Sequence, residues 1–144
     1  MVTKITVKET DFGVAALTDI ATLQSTAAAK PANFVIACSD ETTPLTVGTN
    51  KTRFRAPHAF TIASVKCSLT TASSSGLVTV DVNKNGVSIF STRPTLDVSE
   101  KTTATAATPS VLSTTAVAAD DELTFDVDVA GTNASGLKVT LVLA

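Results

Sequence analysis

An all-β fold, an antiparallel two-sheet β-sandwich in jelly-roll arrangement preceded by an N-terminal arm, follows from three features of this sequence. Short apolar/polar alternations recur about every 8–12 residues from residue 33 onward. Polar turn segments carrying Gly, Asn, Asp or Ser separate them. Thr, Ser, Ala and Val supply about half of the 144 residues, and the branched members of that set favour pleated, half-buried surfaces. A chain of this length makes about one domain. Residues 1–32 read as an arm or extension and residues 33–144 as the sandwich domain.

The elements follow in chain order. Thr3, Ile5 and Val7 alternate with Lys4, Thr6 and Lys8, which predicts a short strand. Val14 to Ala29 is Ala-rich, with Leu17, Ile20 and Leu23 at helical intervals but too few apolar positions for a firm helix, and Pro31 ends the segment. Asn33–Cys38 is apolar on both faces, the pattern of a central strand. Ser39–Asn50 is a polar loop, and Lys51–Arg55 a strand with Phe54 facing in. Phe60–Thr71 is long, and its apolar phase slips between Ile62 and Val65; a β-bulge near Ala63-Ser64 restores the face. Val78, Val80 and Val82 alternate with Thr79, Asp81 and Asn83, and Asn85-Gly86 then turns the chain into Val87–Phe90. Asn-Gly between two alternating runs is a strong hairpin signal. Arg93-Pro94 breaks that strand, Leu96 and Val98 mark another, and Ser99–Thr108 is a Thr/Ala loop before a brief edge strand at Ser110–Leu112. Leu123, Phe125, Val127 and Val129 form an inward face, and Leu137 to Leu143 a last strand. The count is eight or nine strands with no helix in the unit.

Composition excludes several functions. Eleven basic against thirteen acidic residues leave no basic footprint for a nucleic-acid backbone. No stretch approaches the ~20 apolar residues of a membrane span, and the N-terminus lacks the apolar core of a secretory signal, so the chain is expected to be made in a cytoplasm. Cys38 and Cys67 would close a loop of about 30 residues, but in a reducing compartment they read as buried free thiols.

Material for chemistry is thin. His58 is the single histidine, with no partner at a recognisable spacing to make it a general base; it reads as a turn residue. Asp120-Asp121-Glu122 reads as a solvated corner. Asp126 and Asp128, on one face of a strand, could contribute oxygens to a Ca²⁺ site or simply keep that face wet and unpaired; the EF-hand spacing is absent. Sugar hydrolysis by the same carboxylates is disfavoured by the lack of Trp and Tyr for stacking. Lys51, Arg53 and Arg55, with Lys66 as a neighbour, are either a positive patch for an acidic partner or edge-strand protection. No catalytic, cofactor-binding or metal-ligating set emerges, and the expectation is a protein that is not an enzyme.

One resemblance sharpens this. Ala37-Cys38-Ser39-Asp40-Glu41-Thr42-Thr43 with Leu45 and Gly48 opens a series of matching strands and turns. It continues through Phe54-Arg55-Ala56-Pro57, Leu69-Thr70-Thr71-Ala72-Ser73-Ser74-Ser75-Gly76 and Val80-Asp81-Val82-Asn83-Lys84-Asn85-Gly86. Asp120-Asp121-Glu122-Leu123, Asp128-Val129-Ala130-Gly131 and Gly136-Leu137-Lys138-Val139 complete it. Phe34–Leu143 thereby resembles a small β-sandwich module of tailed-bacteriophage structural proteins. The resemblance implies a virion structural role, foremost a capsid decoration (cement) protein that binds the outer head surface, commonly as a homotrimer. Its implied partners are the major capsid protein or other virion proteins, with no nucleic acid, membrane or cofactor and no active-site residues. The alternative it allows is a fibre or receptor-binding module that recognises the host surface.

Overall fold

A computed structural model describes residues 33–144, and within them period-two alternation becomes a set of antiparallel strands. The arm, with its expected strand over Thr3–Lys8, lies outside the described residues. The strands are β1 (Phe34–Ala37), β2 (Gly48–Arg55), β3 (Phe60–Ser68), β4 (Val78–Lys84), β5 (Val87–Ser88) and β6 (Phe90–Thr92). After them come β7 (Thr95–Leu96), β8 (Val111–Leu112), β9 (Ala116–Val117), β10 (Glu122–Ala130) and β11 (Lys138–Leu143). One sheet has the order β1-β11-β3-β9, and the other β2-β10-β4-β5 with β7 also paired to β4. A ribbon of β6 and β8 lies off both. The all-β, sandwich-like expectation is met.

Inner faces meet in a core that needs no Trp or Tyr. From the first sheet come Ile62, Val65, Cys67, Val139 and Leu141; from the second, Val78, Val80, Val82, Leu123, Phe125 and Val127. Phenylalanines stitch the sheets at one end: Phe34 of β1 lies 5.4 Å from Phe54 of β2 and 5.3 Å from Phe60, and Phe54 stacks on Phe125 at 6.2 Å. Such pairs add about 0.5–1.5 kcal/mol each beyond the area they bury.

The bulge read from the phase slip is present. Val142 pairs with Ser64 but Leu143 with Ile62, leaving Ala63 as the extra residue, so Ile62 and Val65 both point inward. The Asn-Gly hairpin is present as well. Asn85 and Gly86 have φ of 50° and 83°, the positive pair that a turn matching strand twist requires.

Several expectations are corrected. Asn33–Cys38 is not a central strand: among the described residues β1 pairs with β11 alone, and Val35 is 65% exposed. Its apolar run misleads because Val35 and Ala37 face out while only Phe34 and Ile36 face in. β2 begins at Gly48, inside the expected loop, because Asn50 adopts φ 55° and lets the strand bulge and continue. Val129 is exposed rather than inward, since the register against β4 slips between Val127 and Val129. Val98 likewise falls outside β7 and is exposed. The Thr/Ala loop contains one 3-10 turn (Thr103–Thr105) capped by the Thr102 hydroxyl. β9 is too short to leave a period, and Ser110–Leu112 contributes β8 to the small ribbon.

The second bulge is testable by stability. Val127→Thr places a hydroxyl in the core and should cost about 2 kcal/mol, whereas Val129→Thr should change stability by less than about 0.5 kcal/mol. Urea unfolding of both variants distinguishes them; equal losses would put Val129 inside.

Candidate interaction surfaces

The most elaborate polar structure lies on the outer face of the second sheet. Alternation turns Asp81 of β4 and Asp126 and Asp128 of β10 away from the core. Asp126 accepts from the Asn50 backbone N–H of β2 and from Asn83 Nδ2 of β4, at 2.5 and 2.9 Å. Asp81 is almost fully buried beneath the chain that follows the hairpin. It accepts from the Ser88 hydroxyl at 2.6 Å and from Arg93 Nε at 2.7 Å. The same Arg93 Nε lies 3.2 Å from Asp128. Four strands are thus tied across their outer face by side chains.

Electrostatics follow the geometry. The hydrogen bond to Asp81, then its charge, raise the Arg93 pKa and hold the guanidinium charged. Desolvation raises the Asp128 carboxyl, with Arg93 opposing it. Asp126 and Asp128 are neither wet and unpaired nor arranged around a cation. Asp126 accepts from Asn50 and Asn83, exposed Asp128 pairs with Arg93, and among the described residues no group of three or more His, Cys, Asp or Glu is placed to hold a metal ion. Sequence showed the carboxylates but not Arg93, which came to light only as a strand breaker beside Pro94.

The basic stripe divides differently from the reading. Lys51, Arg53 and Arg55 are exposed along β2, whose one paired neighbour among the described residues is β10. Arg55 lies 3.4 Å from Glu122 and donates to the Asp120 carbonyl at 3.1 Å; Arg53 approaches Glu122 at 3.9 Å. Charges at an open edge block pairing with another chain. Lys66 does not join them, since it projects from β3 in the other sheet. Asp120-Asp121-Glu122 forms a corner: Asp120 has φ 68°, and Asp121 accepts from Ala118 N–H and Asn85 Nδ2, which lowers its pKa.

At the start of the first sheet, a shallow hollow of about 210 Å³ is lined by Cys38, Ser39, Asp40, Thr43, Pro44, Leu45, Thr46 and Lys51. It is smaller than the roughly 300–1,000 Å³ of ligand pockets. Asp40 closes its rim by accepting from Thr42 and Thr43 N–H, bonds that pull its pKa down to about 2. Glu41 bonds Lys138 and Thr70, and both hold its carboxyl below the usual range. His58 is exposed, with its ring edge toward Phe60.

Cys38 and Cys67 are free and buried. Burial pushes Cys38 up to about 12 and raises Cys67 as well, with the neighbouring Cys38 adding to the second. β11 lies between the strand that leads into Cys38 and the strand holding Cys67. Two interstrand spacings make roughly 9.5 Å, beyond the ~7 Å that a disulfide bridges.

Two outcomes are expected. Arg93→Met leaves buried Asp81 without its cation, so stability should fall by about 2 kcal/mol, read as a lower thermal midpoint; an unchanged midpoint would remove the network from the fold's supports. Both thiols should resist a thiol reagent in the native protein and react on unfolding in urea, and rapid native labelling would contradict their burial.

Comparison with protein-family models, with curated proteins and with solved structures returned no match for this chain.

Proposed function

We propose that this chain is a structural protein of a phage virion, a capsid decoration protein that binds the outer head surface as a homotrimer and stabilises the shell. The strand order carries the reading. The chain alternates between sheets so that strands one, eleven, three and nine line one layer and two, ten, four and five the other. We read that order as a jelly roll, an architecture used by viral capsid domains, lectins and cupins. Fold alone does not choose among those uses. The sequence resemblance favours the first, and the described surface supports it: the carboxylates are engaged by structural donors, and the hollow is small.

Decoration stabilises a shell by mass action, because the protein binds the assembled lattice and not its dissociated parts. Residues 1–32 are the proposed arm that reaches the capsomers or a neighbouring copy. Purified protein added to undecorated heads should bind saturably and raise their disruption temperature. Removing residues 1–32 should abolish head binding and leave the sandwich folded by circular dichroism. Absence of binding by the full chain would defeat the decoration role, and full occupancy by the truncated chain would defeat the arm.

A further inference from the structure

The two sheets treat their edges in opposite ways. β2 carries Lys51, Arg53 and Arg55 along its open side. β1, Phe34-Val35-Ile36-Ala37, carries no charge, no proline and no bulge. The hydrogen-bond phase of β1 identifies what it leaves open. Cys38 N–H donates to the Leu137 carbonyl at 2.8 Å, which continues the register Phe34↔Leu141 and Ile36↔Val139. In an antiparallel ladder, residues of that parity turn both backbone groups to the partner and the intervening ones turn theirs away. The N–H and C=O of Val35 and Ala37 therefore point to the open side, free of partners among the described residues. On the inner face Phe34 and Ile36 are only partly buried against the core. The edge thus offers a backbone ladder and an uncovered apolar lip together, the two components of strand addition.

We propose that β1 accepts residues Thr3–Lys8 of a second copy of this chain as an added strand. The segment has the matching pattern: Ile5 and Val7 would cover Phe34 and Ile36, while Lys4, Thr6 and Lys8 lie on the solvent side beside Val35 and Ala37. A fold-back from immediately before β1 is a poor competitor, because Ala27-Ala28-Ala29-Lys30-Pro31 has low strand propensity and contains a proline. Residues 9–32, when extended, reach about 80 Å, far enough for the edge of a neighbour. Giving a strand and receiving one use different surfaces, so copies exchange arms either reciprocally in a dimer or head-to-tail around a ring, and the homotrimer is the second case. The inference deepens the homotrimer of the proposed function and rests on that reading, but its test needs no virion.

The full chain should run in size exclusion with light scattering as a closed oligomer, a multiple of 14.7 kDa. By hydrogen exchange, the Val35 and Ala37 amides should be protected. The double variant Thr6→Pro/Val7→Pro, outside the described residues, removes a ladder donor whichever way the added strand runs. It should give a monomer in which those two amides exchange on the order of 100-fold faster while core amides stay unchanged. A mixture of isotope-labelled and unlabelled chains should show intermolecular contacts between Ile5 or Val7 and Phe34. A monomeric full chain would overturn the proposal, even with Val35 and Ala37 protected, since the strand would then come from the same copy. So would an oligomer indifferent to the Thr6→Pro/Val7→Pro double variant. Heads that refuse a well-formed oligomer would count against decoration and leave the strand exchange standing.

Discussion

Everything in this sandwich hangs on two adjacent strands near the end of the sequence. β10 sits between β2 and β4 in one sheet, and β11 between β1 and β3 in the other. Neither β1 with β3 nor β2 with β4 pairs directly, so β1 and β2 join their sheets only when β11 and β10 are inserted. Their inward residues, Leu123, Phe125 and Val127 on one and Val139, Leu141 and Leu143 on the other, are also the middle of the core. Sheet formation and core closure are therefore a single event. Loop entropy is lost across most of the chain before these contacts repay it, which makes this topology slow to fold by comparison with one built from local hairpins.

What could be read from the sequence follows from where single-strand periodicity is a sufficient signal. The long strands β3, β4, β10 and β11 announced themselves because a wet outer face leaves a strict alternation. The Ala63 bulge was legible for the same reason: a phase slip inside a long alternating run has one economical explanation. β1 was misplaced because its outward residues, Val35 and Ala37, happen to be apolar, and no local pattern separates a buried central strand from an edge with a greasy outer side. Val129 was misassigned by a bulge that gives little phase signal, since only the small Ala130 follows it in the strand to reset the count. β9 has two residues and no period at all. Arg93 was invisible as a partner because its significance depends on a carboxylate twelve positions earlier in another strand.

The outer faces show how a chain with few large side chains divides its labour. On the second sheet, short polar residues are wired together: Asn50, Asp126 and Asn83 in one set, and Ser88, Asp81, Arg93 and Asp128 in another. Replacing water with fixed donors around Asp81 removes freedom from the strand ends that the small hairpin alone would leave loose. Such a network specifies register, because a slip of one residue would turn Asp81 into the core and Val80 or Val82 out. The first sheet carries little of this. Its outer positions include Val35, Ala37, Thr61, Ala63, Lys66, Thr140 and Val142, mostly small, with the Lys138–Glu41 pair at one end. The two faces are thus chemically distinct although both derive from the same Thr/Ser/Ala/Val vocabulary.

The aromatic distribution completes that division. Four of the six phenylalanines, Phe34, Phe54, Phe60 and Phe125, form one contiguous run across both sheets. Elsewhere the layers are filled with Val, Leu and Ile, which pack an even gap without needing a polar partner as Tyr or Trp would. Bulk is thus concentrated where β1, the start of β3 and the end of β2 converge, and that is also where the uncharged edge lies. Phe34 serves both roles, bridging the sheets through Phe54 while remaining partly uncovered toward the open side of β1. A strand added there would extend the hydrophobic seam as well as the hydrogen-bond ladder. At β2 the same addition would have to desolvate Lys51, Arg53 and Arg55 with Phe54 alone to cover, and the asymmetry between the two edges therefore directs association to one of them.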